Sequence, residues 1–204
     1  MAKIKLTKTE LKAQSDALKR FQRFLPMLQL KKQQLQAEIA SIVARSEEVA
    51  AREAEARAAL SSWVSLFSEA GGALDGHLTV NRVVTDASNI AGVSIPVYKR
   101  IETTATELDL FSTPAWYDAA TEMLTRILAL KAERAVLDRQ RELVATELNT
   151  TSQRVNLFEK VKIPECRENI RIIKIAIGDE QTASVMRGKI AKGRTPQTKQ
   201  EDAA

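Results

Sequence analysis

The sequence predicts a mainly α fold: a long antiparallel, left-handed coiled coil of N- and C-terminal helices with a small β-hairpin and irregular head in the middle. Three observations predict it. Apolar heptads run through both ends of the chain, and about fifty residues between them switch to strand and turn composition. Aromatic content of 4% and seven glycines in 204 residues argue against a compact mixed core. A strict seven-residue apolar repeat keeps one seam facing a partner only if the helices supercoil, so the layout reads as a rod folded back on itself.

The first helix starts near Thr7 or Thr9, either of which suits the N-cap, with Glu10 completing a capping box from Thr7. Its seam takes Leu11, Leu18, Leu25 and Ile39 on one heptad position, and Phe21, Leu28, Leu35 and Ile42 on the other; Val49, Ala56, Leu60 and Trp63 continue the pattern. Pro26 falls inside the repeat, where a missing donor costs about 3 kcal/mol in an isolated helix and predicts a kink or bend. The charged residues Glu47, Glu48, Arg52, Glu53, Glu55 and Arg57 read as a solvated face, and Gly71, Gly72 and Gly76 end the helix.

From Leu78 to Leu110 the residues change character. His77–Thr85 and Val93–Tyr98 alternate β-branched and polar residues, with Asn89 and Gly92 available for the turn between them. Pro96 lacks a donor and belongs on an edge strand or at a bulge. A two-stranded unit is marginal alone, so it is expected to pack on the helices or on another protein.

Thr113 and Pro114 suit the N-cap and first position of the second long helix. Its seam takes Met123, Leu130, Leu137, Val144 and Phe158 on one position and Ile127, Leu148 and Val155 on the other. Ile163-Pro164 is expected to bend or interrupt it before Ile170, Ile173 and Ile177 resume helical spacing; Gly188, Gly193 and Pro196 mark its fraying end. The expected division is 1–68, N-terminal coiled-coil helix; 69–113, hairpin-containing head; 114–194, C-terminal coiled-coil helix; 195–204, disordered tail. With the chain turning around between Leu66 and Ser112, residues whose numbers sum to roughly 185 face one another. That rule sets Glu53 near Arg134 and Ser46 near Arg141 as polar layers in an apolar seam; alternatively both arginines reach out to solvent.

Charge is unevenly placed. Residues 1–32 hold nine basic and two acidic side chains, a net +7; residues 33–153 hold eleven and seventeen, a net −6; residues 154–194 hold ten and five, a net +5. Antiparallel pairing puts both basic segments at one end, and the two ends are expected to meet different partners. There is no run of ~18 apolar residues and no signal-peptide core, so a soluble, intracellular protein without direct membrane insertion is expected. Cys166 is the only cysteine, which excludes an intramolecular disulfide and a dithiol centre. The chain has no Gly-x-x-x-x-Gly-Lys-Ser/Thr phosphate loop, its one histidine, His77, has no metal-binding neighbour, and no carboxylate pair stands out. Asn149-Thr150-Thr151 matches a glycosylation acceptor that is idle inside a cell. No catalytic residue, metal or cofactor is expected.

The C-terminal order Arg154-Val-Asn-Leu-Phe-Glu159, Ile163-Pro164, Ile170-Arg-Ile-Ile173, Gly178-Asp-Glu180 and Met186-Arg-Gly-Lys189 carries a resemblance, supported by Asn89–Val93 with Ile95-Pro96 and by Leu6–Leu11 with Leu25–Lys32. Over almost its whole length the chain resembles the D subunits, the central rotor axles, of the V/A-type rotary ATPases, in the branch found in bacteria. Leu28-Gln-Leu-Lys-Lys-Gln-Gln-Leu35 departs from the Leu-Leu-Lys-x-Lys-Arg-Asp-x-Leu stretch of archaeal and eukaryotic members. The resemblance implies a single copy per complex inside a hexamer of catalytic A and B subunits. The F subunit and the rotor stalk subunit joining the membrane ring are the further implied partners, and the location is cytoplasmic and peripheral to the membrane.

The physics agrees with that reading. Two supercoiled helices of ~65 residues reach ~95 Å, a stiff element able to carry torque. An asymmetric surface can bias equivalent housing sites differently. Lys12, Lys19, Arg20, Arg23, Lys160, Lys162, Arg187 and Lys189 are the candidate contacts to the catalytic hexamer; the same side chains also read as ordinary solvated helix faces. The competing readings are a prefoldin-like coiled-coil chaperone or another scaffolding coiled coil. A nucleic-acid-binding rod is disfavoured, because Phe21, Phe24 and Phe158 lie on or beside the apolar repeat and leave few aromatics to stack on bases.

Overall fold

The computed structural model describes residues 4–61, 78–105 and 116–201, the side chains of 193–201 excepted. Trp63, Leu66, the glycines at 71, 72 and 76, His77, Leu110 and the proposed cap at Ser112–Pro114 lie outside the described residues. The elements are helix α1 (Lys8–Ser61), strands β1 (Leu78–Ile90) and β2 (Val93–Ala105), helix α2 (Tyr117–Asn156), a π-helical turn (Leu157–Lys162) and helix α3 (Ile163–Glu201). The protein is mainly α, with antiparallel pairing of N- and C-terminal helices and one small two-stranded sheet between them in sequence. The chain divides into two compact units, residues 31–151 and residues 1–30 with 152–204.

In the unit of residues 31–151 the heptads of α1 and α2 meet. Leu35, Ile42, Val49, Leu130, Leu137 and Val144 form one buried cluster, joined by Ile95 of β2, with Ile39, Ala56, Leu143 and Leu148 packed against it. Full burial of one such side chain contributes about 1.5–3 kcal/mol, so this seam is the main favourable term in the unit. Polar pairs fix its direction and register: Lys31 meets Glu147, Arg52 meets Glu133 at 3.8 Å, and Glu53 meets Arg134 at 3.6 Å. From Lys31 to Arg52 on α1 the partner on α2 falls from Glu147 to Glu133, which is antiparallel pairing.

Glu53 is the buried member of a small network. It is 6% exposed, and its other carboxylate oxygen accepts from Arg57 at 2.6 Å. Both readings of Arg134 hold together, since it reaches Glu53 and still leaves about half of its side chain in solvent. Arg141 instead lies 3.8 Å from Asp138 on its own helix.

The hairpin is longer than its apolar alternation. β1 runs on through Asp86, Ala87, Ser88 and Asn89, which have little strand preference, because each pairs with a residue of β2 between Ser94 and Val97. Register shifts fall between Val80 and Arg82 and between Val84 and Thr85. The turn is Ala91-Gly92, both at positive φ (50° and 85°), the two-residue form whose twist matches the strands. Asn89 is not in the turn itself; its Oδ1 accepts from Gly92 N–H at 2.8 Å and braces it. Ile95 and the half-buried Ile90, Ala91 and Val93 seat the hairpin on the helix cluster, and Gln140, 2% exposed, donates to the Pro96 carbonyl.

A Cβ at Gly92 would meet nothing within 4 Å, so Gly92→Ala isolates the conformational penalty. It is expected to cost about 1–2 kcal/mol, read as a lower denaturation midpoint with faster amide exchange along the hairpin. Lys99 bonds Asp86 at 2.9 Å, and that bond, a bond from Ala87 N–H and the ammonium charge hold the Asp86 carboxyl below its usual range. The folded-state value is the lower one. The pair therefore supports the hairpin above the ordinary carboxylate range and is lost as pH falls through the folded value.

In the unit of residues 1–30 and 152–204, Thr7 is the cap that forms: Glu10 N–H donates to Thr7 Oγ1 at 3.2 Å. Only half of the capping box is made, because the Glu10 carboxylate accepts from Gln14 at 2.8 Å instead. α1 passes through Pro26 without ending, and Leu25 and Leu28 on either side stay half-buried. Packing outweighs the local penalty there. Phe21 and Phe158 pack with their rings tilted by 51° and centroids 5.0 Å apart, and Gln14 and Asn169 approach to 3.5 Å.

Pro164 does not stop the C-terminal helical run either. The helix changes type just ahead of it, and Ile163 N–H donates to the Phe158 carbonyl, five residues back. Backbone helix then continues to Glu201, through Gly188, Gly193 and Pro196.

Candidate partner-binding surface

All eight basic residues singled out in the sequence fall in the unit of residues 1–30 and 152–204. Lys12, Lys19, Arg20 and Arg23 are exposed on α1, at spacings of seven, eight and eleven from the first, which gathers them on one side of that helix. Lys160 is exposed on the π turn; Lys162 is half-buried and bonds Glu165 at 3.0 Å. Arg187 and Lys189 are exposed on α3. The unit as a whole holds eighteen basic and nine acidic side chains, a net +9, while residues 31–151 hold thirteen and seventeen, a net −4. Such a field favours an acidic partner and speeds its approach.

The seam residues lie inward in both units. Leu35, Ile42, Ile127, Leu130, Leu137, Val144 and Val155 are buried; Leu11, Leu18, Phe21, Leu25, Leu28, Ile39, Met123, Leu148 and Phe158 are half-buried.

A second surface escapes a reading based on charge. On α1, Phe24, Met27 and Leu30 are 48%, 60% and 60% exposed. On the C-terminal helical run Leu157, Val161, Ile172 and Ile175 are exposed too, followed by Val185, Met186 and Ile190 at 59%, 54% and 56%. The signal is present in the sequence: all three α1 residues lie off the heptad positions that the seam uses, so the seam cannot bury them. From Gly178 to Lys192 every residue is exposed. Exposed apolar residues among a dense set of cations are a composition that protein-binding surfaces share.

Among the described residues no group of three or more His, Cys, Asp or Glu side chains is placed to hold a metal ion. Cys166 is 5% exposed, and burial, with the Glu165 charge beside it, pushes its thiol pKa up. Thiol-specific labelling of the folded protein near neutral pH is expected to be at least about tenfold slower than in denaturant. Labelling at the unfolded rate would show that the Cys166 seam opens readily.

Two heptad-paired helices, a hairpin seated on them and a cationic surface studded with apolar side chains are the features of a helical subunit of a larger assembly. Comparison with known proteins identifies the assembly. The family model described as the D subunit of ATP synthase matches residues 10–193. The V-type ATP synthase D subunit of Borreliella burgdorferi is 46% identical over 192 residues, covering 94% of this chain and 95% of that one. The protein of the same name from Chlamydia trachomatis serovar L2 is 34% identical over 206 residues, covering 98% and 99%. The chain belongs to the ATP synthase D subunit family, the central-stalk subunits of rotary ATPases. Among the described residues no helix is long and apolar enough to cross a membrane.

Proposed function

We propose that this chain is the non-catalytic rotor of a V/A-type ATPase, coupling ATP hydrolysis or synthesis in a hexameric head to proton or sodium translocation by rotation. The observation that carries the reading is similarity running from end to end with proteins named as the D subunit of V-type ATP synthase, 94% of one chain against 95% of the other. The partners are the catalytic A and B subunits, the F subunit and the rotor stalk subunit that joins the membrane ring. One copy serves each complex, in the cytoplasm and peripheral to the membrane. In this reading residues 1–68 and 114–194 supply the two helices of the coiled-coil shaft, whose paired seam ends at Ile177, and 69–113 the hairpin-containing head. Residues 195–204 are the segment expected from sequence to be a disordered tail, where the backbone is helical as far as Glu201.

The basic set supports this role. Exposed ion pairs are worth about 0–1 kcal/mol each, so a cationic surface can hold a housing firmly in sum and still release it in steps. The exposed apolar residues of α1 and α3 add contact area that differs from one side of a helix to the other, which a rotor needs if equivalent sites are to be biased in turn.

Co-expression with the A, B and F subunits tests the reading. A complex with one copy of this chain and sustained ATP turnover is expected. Self-association through the hairpin, indifference to those subunits and suppression of client aggregation would instead favour a prefoldin-like chaperone.

A further inference from the structure

The two sides of the seam in the unit of residues 1–30 and 152–204 do not keep the same count. On α1 the half-buried seam residues are Leu11, Gln14, Leu18, Phe21, Leu25 and Leu28, at intervals of three and four without a break. On the C-terminal run the inward apolar residues are Val155, Phe158, Ile163, Cys166, Ile170, Ile173 and Ile177, with Lys162 half-buried beside them but turned to Glu165, and one interval is five, between Phe158 and Ile163. Every other interval is three or four.

One surplus residue in an α-helix turns everything after it by about 100°, which would carry Ile163, Cys166, Ile170 and Ile173 away from α1. They stay inward, with Ile163 at 7%, Cys166 at 5% and Ile173 at 0% exposure. The five-residue interval spans the π turn, and the bond from Ile163 N–H to the Phe158 carbonyl joins the two seam residues on either side of the surplus. A π turn closes five residues where an α turn closes four, so it absorbs one residue and returns the helix in phase.

We infer that Leu157–Lys162 is a phase-correcting joint, set by the count of the seam and not by Pro164. The surplus residue is bulged outward at Glu159–Val161, all exposed, while the seam closes behind it. At such a joint the helix can pass between π and α bonding, changing its rotational phase by one residue while its backbone groups stay paired. This inference stands apart from the rotor reading and holds for any function of the chain.

Three variants of the full chain test it. Deleting Lys160 removes the surplus: Phe158 and the former Ile163 become four apart and every later interval is kept. Its thermal midpoint is expected within about 3 °C of the parent. Deleting the exposed Arg167 leaves no arrangement that keeps the whole seam inward: a retained π turn puts Ile170, Ile173 and Ile177 out of phase, and a collapsed one puts Ile163 and Cys166 out, so the midpoint is expected to fall by more than about 10 °C. In Pro164→Ala the seam still demands the surplus, so hydrogen-bond couplings measured by NMR are expected to keep Ile163 N–H on the Phe158 carbonyl. A loss for the Lys160 deletion as large as for the Arg167 deletion would overturn the inference. So would transfer of the Ile163 bond to Glu159 in Pro164→Ala, which would make the proline the cause of the turn.

Discussion

Ile42→Ala is expected to destabilise the protein by about 3–4 kcal/mol, seen as a fall in the urea midpoint with little change in slope. Ile42 is fully buried between its heptad neighbours Leu35 and Val49, in one cluster with Leu137 and Val144 of the facing helix. Truncation removes the transfer energy of the lost carbons and leaves a void that two stiff, antiparallel helices cannot close by a small shift. With whole-protein stabilities of about 5–15 kcal/mol, one such void is a large part of the total. Glu47→Ala, further along α1 and exposed, is the control and is expected to stay within about 0.5 kcal/mol. Equal effects from the two would mean that the heptad seam does not hold this unit together.

Removing residues 186–204 is expected to do the opposite: stability within about 0.5 kcal/mol of the parent, with loss of coupled activity. Every residue from Gly178 to Lys192 is exposed. A helix of that length with no buried face is only marginally stable in water, so on the rotor reading proposed above its order in the working complex would come from a partner. Of the residues removed, Met186 and Ile190 supply apolar area, and Arg187 and Lys189 supply charge. In the reconstituted complex the truncation is expected to lower ATP-driven ion transport by at least about tenfold, the scale of an ordinary coupling energy. Transport at the parent level, beside unchanged ATP hydrolysis, would show that this end of α3 takes no part in coupling.

Much of the fold is legible because a seam between two helices writes itself as a seven-residue period, and Leu35, Ile42, Leu137 and Val144 carry it without ambiguity. The contact of Glu53 with Arg134 is legible from chain reversal alone. The π turn is hidden because Val161 and Ile163 are both apolar, so neither declares which one belongs to the seam; only their exposure, 49% against 7%, separates them. Pro164 draws attention to the right place for a different reason. The extent of the hairpin is hidden because backbone pairing carries Asp86–Asn89 into β1 against residue preference. The cationic residues of the candidate surface can be named from charge alone. The apolar ones, Phe24, Met27 and Leu30 among them, are masked by neighbours that do lie in the seam.

The most direct measurement of the central claim is rotation itself. An immobilised complex of A and B subunits would carry this chain with a bead attached through an added exposed cysteine, Cys166 being buried. With ATP the bead is expected to turn in one direction, in steps of a third of a turn. Steady ATP hydrolysis with a stationary bead would contradict the rotor account.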